Sequence, residues 1–343
     1  MKIALVGHDF DFSSKDGISR YSYELFTRLK KHNKVSTYEH KKGVGFVGNI
    51  VPGLHRYTVG IKVDDADIVH LMYPNTTYVR SSAPQALTWH DASIFNRYKT
   101  FNIFSSDMYH WLGVALPALR NTNRANGITY NSEETRKSLI PYIGKYLDKP
   151  NEVITHGIDD AFIKSKIDHN IERKDFVYVG SVQYPHKNIP LLIKSFESAN
   201  TGNNMLYIFT PTDRDLIDPS YFKAKKVKII IKASTSEVIE KLKRSIALLH
   251  FSRLEGFGVP ILESMALGTP VVVLKSAEIP KIVTKYAIKI SESEIKSTIG
   301  KLALTKPELS DEAIEYAKSF SWDRTVSMTV EFYKKILEMQ SKS

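Results

Sequence analysis

The sequence predicts an α/β protein made of two doubly wound domains, and three observations point there. Short β-branched runs recur between amphipathic helical patterns. The runs fall into two groups separated by a polar stretch. The chain has 343 residues, enough for two domains of about 100–200 residues each. Strand–helix alternation implies parallel sheets covered by helices, with ligands at the carboxyl ends of the strands.

In the first group, strands are expected at 2–7, 67–71, 85–89, 127–130 and 151–155. A helix follows the first strand, with Ile18, Tyr21, Leu25 and Leu29 on one face. Ser132, three residues before Thr135, is placed to cap another helix. The polar stretch 158–174 contains Asp159, Asp160, Lys164, Glu172 and Arg173, and is the expected domain boundary. In the second group, strands are expected at 176–180, 205–209, 227–231, 246–250 and 270–274. A last helix at 322–339 carries Val326, Val330, Tyr333 and Leu337 on one face.

An apolar content of 42% and a charged content of 25% suit a soluble globular chain. The absence of cysteine excludes disulfides, thiolate zinc sites and a cysteine nucleophile. The first apolar run meets His8 and Asp9 too soon for a signal peptide, and no run reaches the ~20 apolar residues of a membrane span. A cytoplasmic protein is expected. The net charge of +11 suits polyphosphate-bearing substrates, an anionic membrane surface or nucleic acid. No nucleic-acid motif accompanies it. The run Lys223, Lys225, Lys226, Lys228 and Lys232 alternates with Val227, Ile229 and Ile231, as in a strand with one solvated face.

The chemistry concentrates in 252–274. Glu255 and Glu263 stand eight residues apart, with Gly256, Phe257 and Gly258 between them and Pro260 at an expected helix start. Glycine admits a ligand to the backbone, and the first turn of a helix attracts phosphate. Carboxylates on either side accept hydrogen bonds from hydroxyl groups. A phosphate flanked by hydroxyls describes a nucleotide sugar. Upstream, Gly180 ends a strand and Lys187 precedes a helix, a suitable place for a diphosphate. Gly7 and Gly17 flank the first loop, either as an anion cradle or as plain turn residues. His90 ends a strand, where it faces a ligand or is satisfied internally. Gly43, Gly45 and Gly48 fit a dinucleotide fingerprint but do not follow the first strand. Asp9 and Asp11 alone are a poor metal signal.

The stretch 252–274 resembles the donor signature of retaining glycosyltransferase family 4, in the glycogen-synthase-like superfamily. That signature is Glu, seven residues, Glu, with Gly-Phe-Gly after the first and Gly-x-Pro-Val-Val downstream, here Gly268-Thr-Pro270-Val-Val. Gly17-Ile-Ser-Arg20-Tyr21, His90-Asp91 and Phe320-Ser-Trp322 are similar to further segments of the family. Ser181 and His186 stand where many members have arginine.

The resemblance implies the GT-B fold: two Rossmann-like doubly wound domains facing across a cleft. Residues 1–165, joined by about 322–343, would form the acceptor side, and 166–321 would hold the donor. It implies retaining, metal-independent transfer of a hexose, mannose or glucose, to a hydroxyl on a glycan, lipid or protein-linked sugar. The donor would be GDP- or UDP-linked, with no further cofactor and no metal. His90, Lys187 and Glu255 would be catalytic. Gly17, Gly180, Ser181, Lys187, Glu255, Gly256, Phe257, Gly258, Val259 and Glu263 would bind the donor: Glu263 the ribose, Glu255 the sugar hydroxyls and Lys187 the diphosphate. The partners would be the nucleotide sugar and a glycan or lipid-linked acceptor, without nucleic acid. Phe95, Arg97, Tyr98, Lys99, Phe101, Phe104, Tyr109 and Trp111 suit either a packed helix or peripheral contact with a membrane. A sugar phosphorylase or epimerase of the same fold is a rival, the epimerase disfavoured by Glu255 and Glu263. A second rival, favoured by Ser181 and His186, is a non-catalytic sugar-nucleotide or glycan-binding protein.

Overall fold

A computed structural model of the chain describes residues 1–7, 9–11, 17–39, 60–96 and 111–341. They form two units, Met1–His156 with Trp322–Ser343, and Gly157–Ser321. The glycine fingerprint at 43–48 and most of the aromatic and basic stretch at 97–110 lie outside the described residues.

The strands of the first unit are β1 (Lys2–Gly7), β2 (Lys34–Glu39), β3 (Ile61–Lys62), β4 (Ile68–Leu71), β5 (Val79–Arg80), β6 (Gln85–Trp89), β7 (Gly127–Tyr130) and β8 (Asn151–Val153). Six of them make one parallel sheet in the order β2-β1-β4-β6-β7-β8, while β3 pairs with β5. β4, β6 and β7 are wholly buried, as expected of strands covered by helices on both faces. β2 was not anticipated. It is an edge strand with mostly exposed side chains, so it shows no apolar run. The helix Gly17–Leu29 buries Tyr21, Leu25 and Leu29 as its pattern predicts.

The last helix, Trp322–Gln340, belongs to the first unit but does not bury the expected face. Trp322, Thr325, Thr329, Phe332, Tyr333 and Ile336 are buried, whereas Val326, Val330 and Leu337 lie on the rim. Two threonines can face the core because their hydroxyls are satisfied: Thr325 Oγ1 donates to Thr155 O at 2.8 Å and Thr329 Oγ1 to Thr325 O at 2.7 Å. Gly127 supplies the room opposite. A Cβ there would stand 2.6 Å from Ile336 and 2.7 Å from Phe332.

The second unit contains β9 (Phe176–Val179), β10 (Leu206–Thr210), β11 (Val227–Ile231), β12 (Ala247–His250), β13 (Val271–Leu274) and β14 (Ile288–Ile290). Its parallel sheet runs β11-β10-β9-β12-β13-β14. Counted within the unit, this is the Rossmann order, reversing between β9 and β12. Ligands of such sheets bind at the carboxyl ends beside the reversal. β14, only three residues long, was also not anticipated. Of the lysine run only Lys228 lies within β11, an edge strand, where charge discourages pairing with another chain; the others flank it.

Residues 157–165, expected in the first domain, pack with the second unit. Ile158 and Phe162 are buried in its core, and Ile158 N–H donates to Phe320 O at 2.9 Å. These apolar anchors outweigh the polar composition that suggested a linker.

Candidate functional site

The loops after β9 and β12 leave the sheet side by side at the reversal. After β9, Gly180 turns the chain at φ +151°, and a Cβ there would stand 2.9 Å from the Tyr178 hydroxyl. Glycine is therefore needed for Tyr178, whose Oη–H donates to Ser181 O at 3.0 Å. Lys187 closes a short 3₁₀ turn, Pro185–Lys187. Asn188 follows in the left-handed region at φ +57°, donates through Nδ2 to Phe251 O at 3.2 Å, and opens the helix Ile189–Ser198. This bond ties the Lys187 turn to the end of β12.

After β12, Glu255 sits on a loop held by its own N–H, which donates to Glu278 O at 3.0 Å. Its carboxylate accepts two bonds from Lys187 Nζ, 2.9 Å to Oε1 and 2.8 Å to Oε2. Oε1 also accepts from His250 Nε2 at 2.8 Å. The side chains of Lys187, Glu255 and His250 are 17%, 10% and 2% exposed. Burial pushes the Glu255 carboxyl up, but the His250 bond, the His250 charge and the Lys187 ammonium together outweigh it and hold Glu255 well below the carboxylate range. The Tyr178 ring stacks on His250 at 5.9 Å and 17°. Burial and then the Glu255 charge push the Tyr178 hydroxyl well above its ordinary value.

Gly258 adopts φ +94° and caps the helix Val259–Ala266, with Pro260 in its first turn as the sequence suggests. Phe257 is buried against Phe320, and Glu263 is buried on the helix. Ser181 Oγ bonds Thr212 Oγ1 at 3.0 Å, and Thr212 in turn is bonded by Thr210 Oγ1 at 2.9 Å and by Val182 N–H at 3.2 Å. His186 stacks on Tyr184 at 5.7 Å. The two positions expected to carry arginine are thus a hydroxyl relay and a ring pair.

The structure gathers Gly180, Ser181, Lys187, Glu255, Gly256, Phe257, Gly258, Val259 and Glu263 on the loops and helix that follow β9 and β12. Gly17 and His90 belong to the first unit. Gly17 opens its helix, and a Cβ there would meet nothing within 4 Å among the described residues. His90 is engaged at both ring nitrogens. Nε2 donates to Met72 O at 2.8 Å, which leaves Nδ1 to accept from His156 Nε2 at 3.2 Å. A direct role toward a ligand would require His90 to exchange one of these partners. Among the described residues no group of three His, Cys, Asp or Glu side chains is arranged to hold a metal. No helix among them is long and apolar enough to cross a membrane.

Sequence reasoning missed His250, Tyr178 and Thr212. The signal for His250 was present: it ends a strand of a doubly wound sheet, the same argument that singled out His90.

Residues 159–320 match the family model described as Glycosyl transferases group 1. The chain is 27% identical over 167 residues to the O-antigen chain mannosyltransferase RfbU of Salmonella typhimurium, covering 44% of this chain and 46% of that protein. The match thus spans about half the length of that curated relative. A sucrose-phosphate synthase from Thermosynechococcus elongatus superposes with a TM-score of 0.68 over 99% of this chain and 100% of its own, at 12% identity. HepE of Anabaena, solved in complex with UDP, superposes with a TM-score of 0.62 over 98% of this chain and 100% of its own, at 15% identity. These likenesses show the fold, which is GT-B.

Proposed function

We propose that this chain is a retaining glycosyltransferase that moves a hexose, mannose or glucose, from a UDP- or GDP-linked donor to a hydroxyl acceptor on a glycan, lipid or protein-linked sugar. The observation that carries the reading is the Lys187–Glu255–His250 cluster beside the strand reversal of the second unit. It lies inside the 159–320 match. The mannosyltransferase relative supports a hexose, and the UDP complex of HepE supports a nucleotide donor.

In this reading the buried Glu263 accepts from the ribose hydroxyls, and Glu255 from the hydroxyls of the hexose. Lys187, which spans both oxygens of Glu255, turns its ammonium to the diphosphate and offsets the charge that grows on the leaving group. The backbone at 257–259 approaches the donor, and Gly258 supplies the φ of +94° at which that backbone turns into the helix. The departing phosphate takes the acceptor's proton on the same face, so no protein base is assigned and no metal is invoked.

The test is release of nucleotide from UDP-glucose and GDP-mannose with a sugar acceptor mixture. Turnover that falls by about a hundredfold or more in Glu255→Ala supports the reading. A second reading, a non-catalytic sugar-nucleotide binder, is favoured by Ser181 and His186, which engage Thr212 and Tyr184 instead of supplying guanidinium groups. A well-folded wild type that binds a nucleotide sugar and turns none over selects that second reading.

A further inference from the structure

His250 stands at the end of β12, five residues before Glu255, and its side chain is 2% exposed. A carboxylate oxygen faces its Nε2 at 2.8 Å, so Nε2 carries the proton and donates. The ring is fixed by stacking on Tyr178. Its other nitrogen, Nδ1, is buried without a hydrogen-bond partner among the described residues. A buried polar atom left unpaired is costly, so a ring that tolerates one is held for what its other nitrogen does.

Glu255 therefore has two partners of different kinds. Lys187 reaches it on a flexible stem from a neighbouring turn and is partly exposed. His250 reaches it from the rigid sheet and is sealed from solvent. In the donor-site reading a diphosphate would compete with Glu255 for the first partner, not for the second.

We propose that His250 is a positioning residue. It holds Glu255 in place when Lys187 turns to a diphosphate, so that the carboxylate stays aimed at the hydroxyls of the donor sugar. The inference rests on the donor-site reading of this cluster, and its signature is selective. Loss of His250 weakens recognition of the sugar and leaves recognition of the nucleotide intact.

The test compares His250→Gln with His250→Asn. Glutamine places an amide N–H at the position of Nε2, whereas asparagine places it at the position of Nδ1. Calorimetry gives the Kd of UDP, GDP, UDP-glucose and GDP-mannose for both variants and the wild type, and melting curves follow the fold. The expected result is a nucleotide Kd within about twofold of wild type in both variants, with the nucleotide-sugar Kd about tenfold weaker in His250→Asn and largely restored in His250→Gln. Equal weakening in both variants, or loss of nucleotide binding in step with sugar binding, overturns the inference. So does wild-type sugar affinity in His250→Asn. Because the readout is binding, it stands whether or not the wild type turns over. Absent turnover refutes the transferase reading alone, and absent binding of all four probes refutes both.

Discussion

In the first unit, His70 bonds the Tyr333 hydroxyl at 2.6 Å and Thr88 at 2.8 Å, and Thr88 bonds Tyr21 at 3.0 Å and Thr129 at 2.7 Å. His156 stacks between Tyr21 and Trp322. In the second unit, Lys187 and His250 meet Glu255. Both clusters are buried and polar, but they differ in charge. Burial and the neighbouring His90 push His70 down to about 3 and His156 well below its ordinary value, so the first cluster is neutral. It joins Trp322–Gln340 to the sheet. In the second cluster the Glu255 carboxyl is held ionised, and its lysine partner is partly open to solvent. A neutral, internally bonded network fixes an element, whereas a charged pair with an exposed member can exchange a partner for a ligand. On the proposed function, this contrast fits chemistry in the second unit and anchoring in the first.

The largest effect expected from breaking the contrast is on turnover. If Lys187 meets the diphosphate as proposed, Lys187→Ala removes that cation, and turnover of UDP-glucose or GDP-mannose should fall about 10²–10³-fold, the scale of removing one transition-state donor. A smaller effect falls on stability. The unfolded chain protonates His70 and His156 near pH 6.5, and the folded first unit does not. Their contribution is complete above that pH and is lost as pH falls from about 6.5 towards 3, by up to about 1.4 kcal/mol per pH unit for each histidine. Glu255, with its depressed value, loses its contribution only as pH falls below the ordinary carboxylate range. All three tryptophans, Trp89, Trp111 and Trp322, belong to the first unit. Urea midpoints followed by tryptophan fluorescence should therefore drop between pH 7 and pH 5, with a shallower slope in His70→Gln. A flat profile would show that these histidines are not buried in neutral form. The smallest stability effect is that of Gly17→Ala, where a Cβ meets none of the described residues within 4 Å. Stability should stay within about 0.5 kcal/mol, and a fall in turnover without a fall in melting temperature would mark Gly17 as a point of ligand approach.

The sheet cores were legible in the sequence because buried parallel strands read as apolar runs, as in β6 and β13. β2 and β14 were not, the one solvated at an edge and the other too short for a pattern. The last helix was legible as a helix but not in its buried face, because threonines satisfied by carbonyls occupy core positions that a hydrophobic pattern assigns to valines. In the site, Lys187 and Glu255 were visible as charges in glycine-bearing loops. Their partner His250 carried the same strand-end signal as His90, whereas nothing local links Thr212 to Ser181, 31 residues away. Partnerships made by strand order across a sheet become visible only once that order is known.

The most direct test of the central claim is a thermal shift of the wild type and Glu263→Ala with UDP, GDP, ADP and dTDP. A ligand that prefers the folded chain raises the melting temperature. The account predicts stabilisation of the wild type by one of the four and none in the variant. No shift of a well-folded wild type with any of them would contradict it.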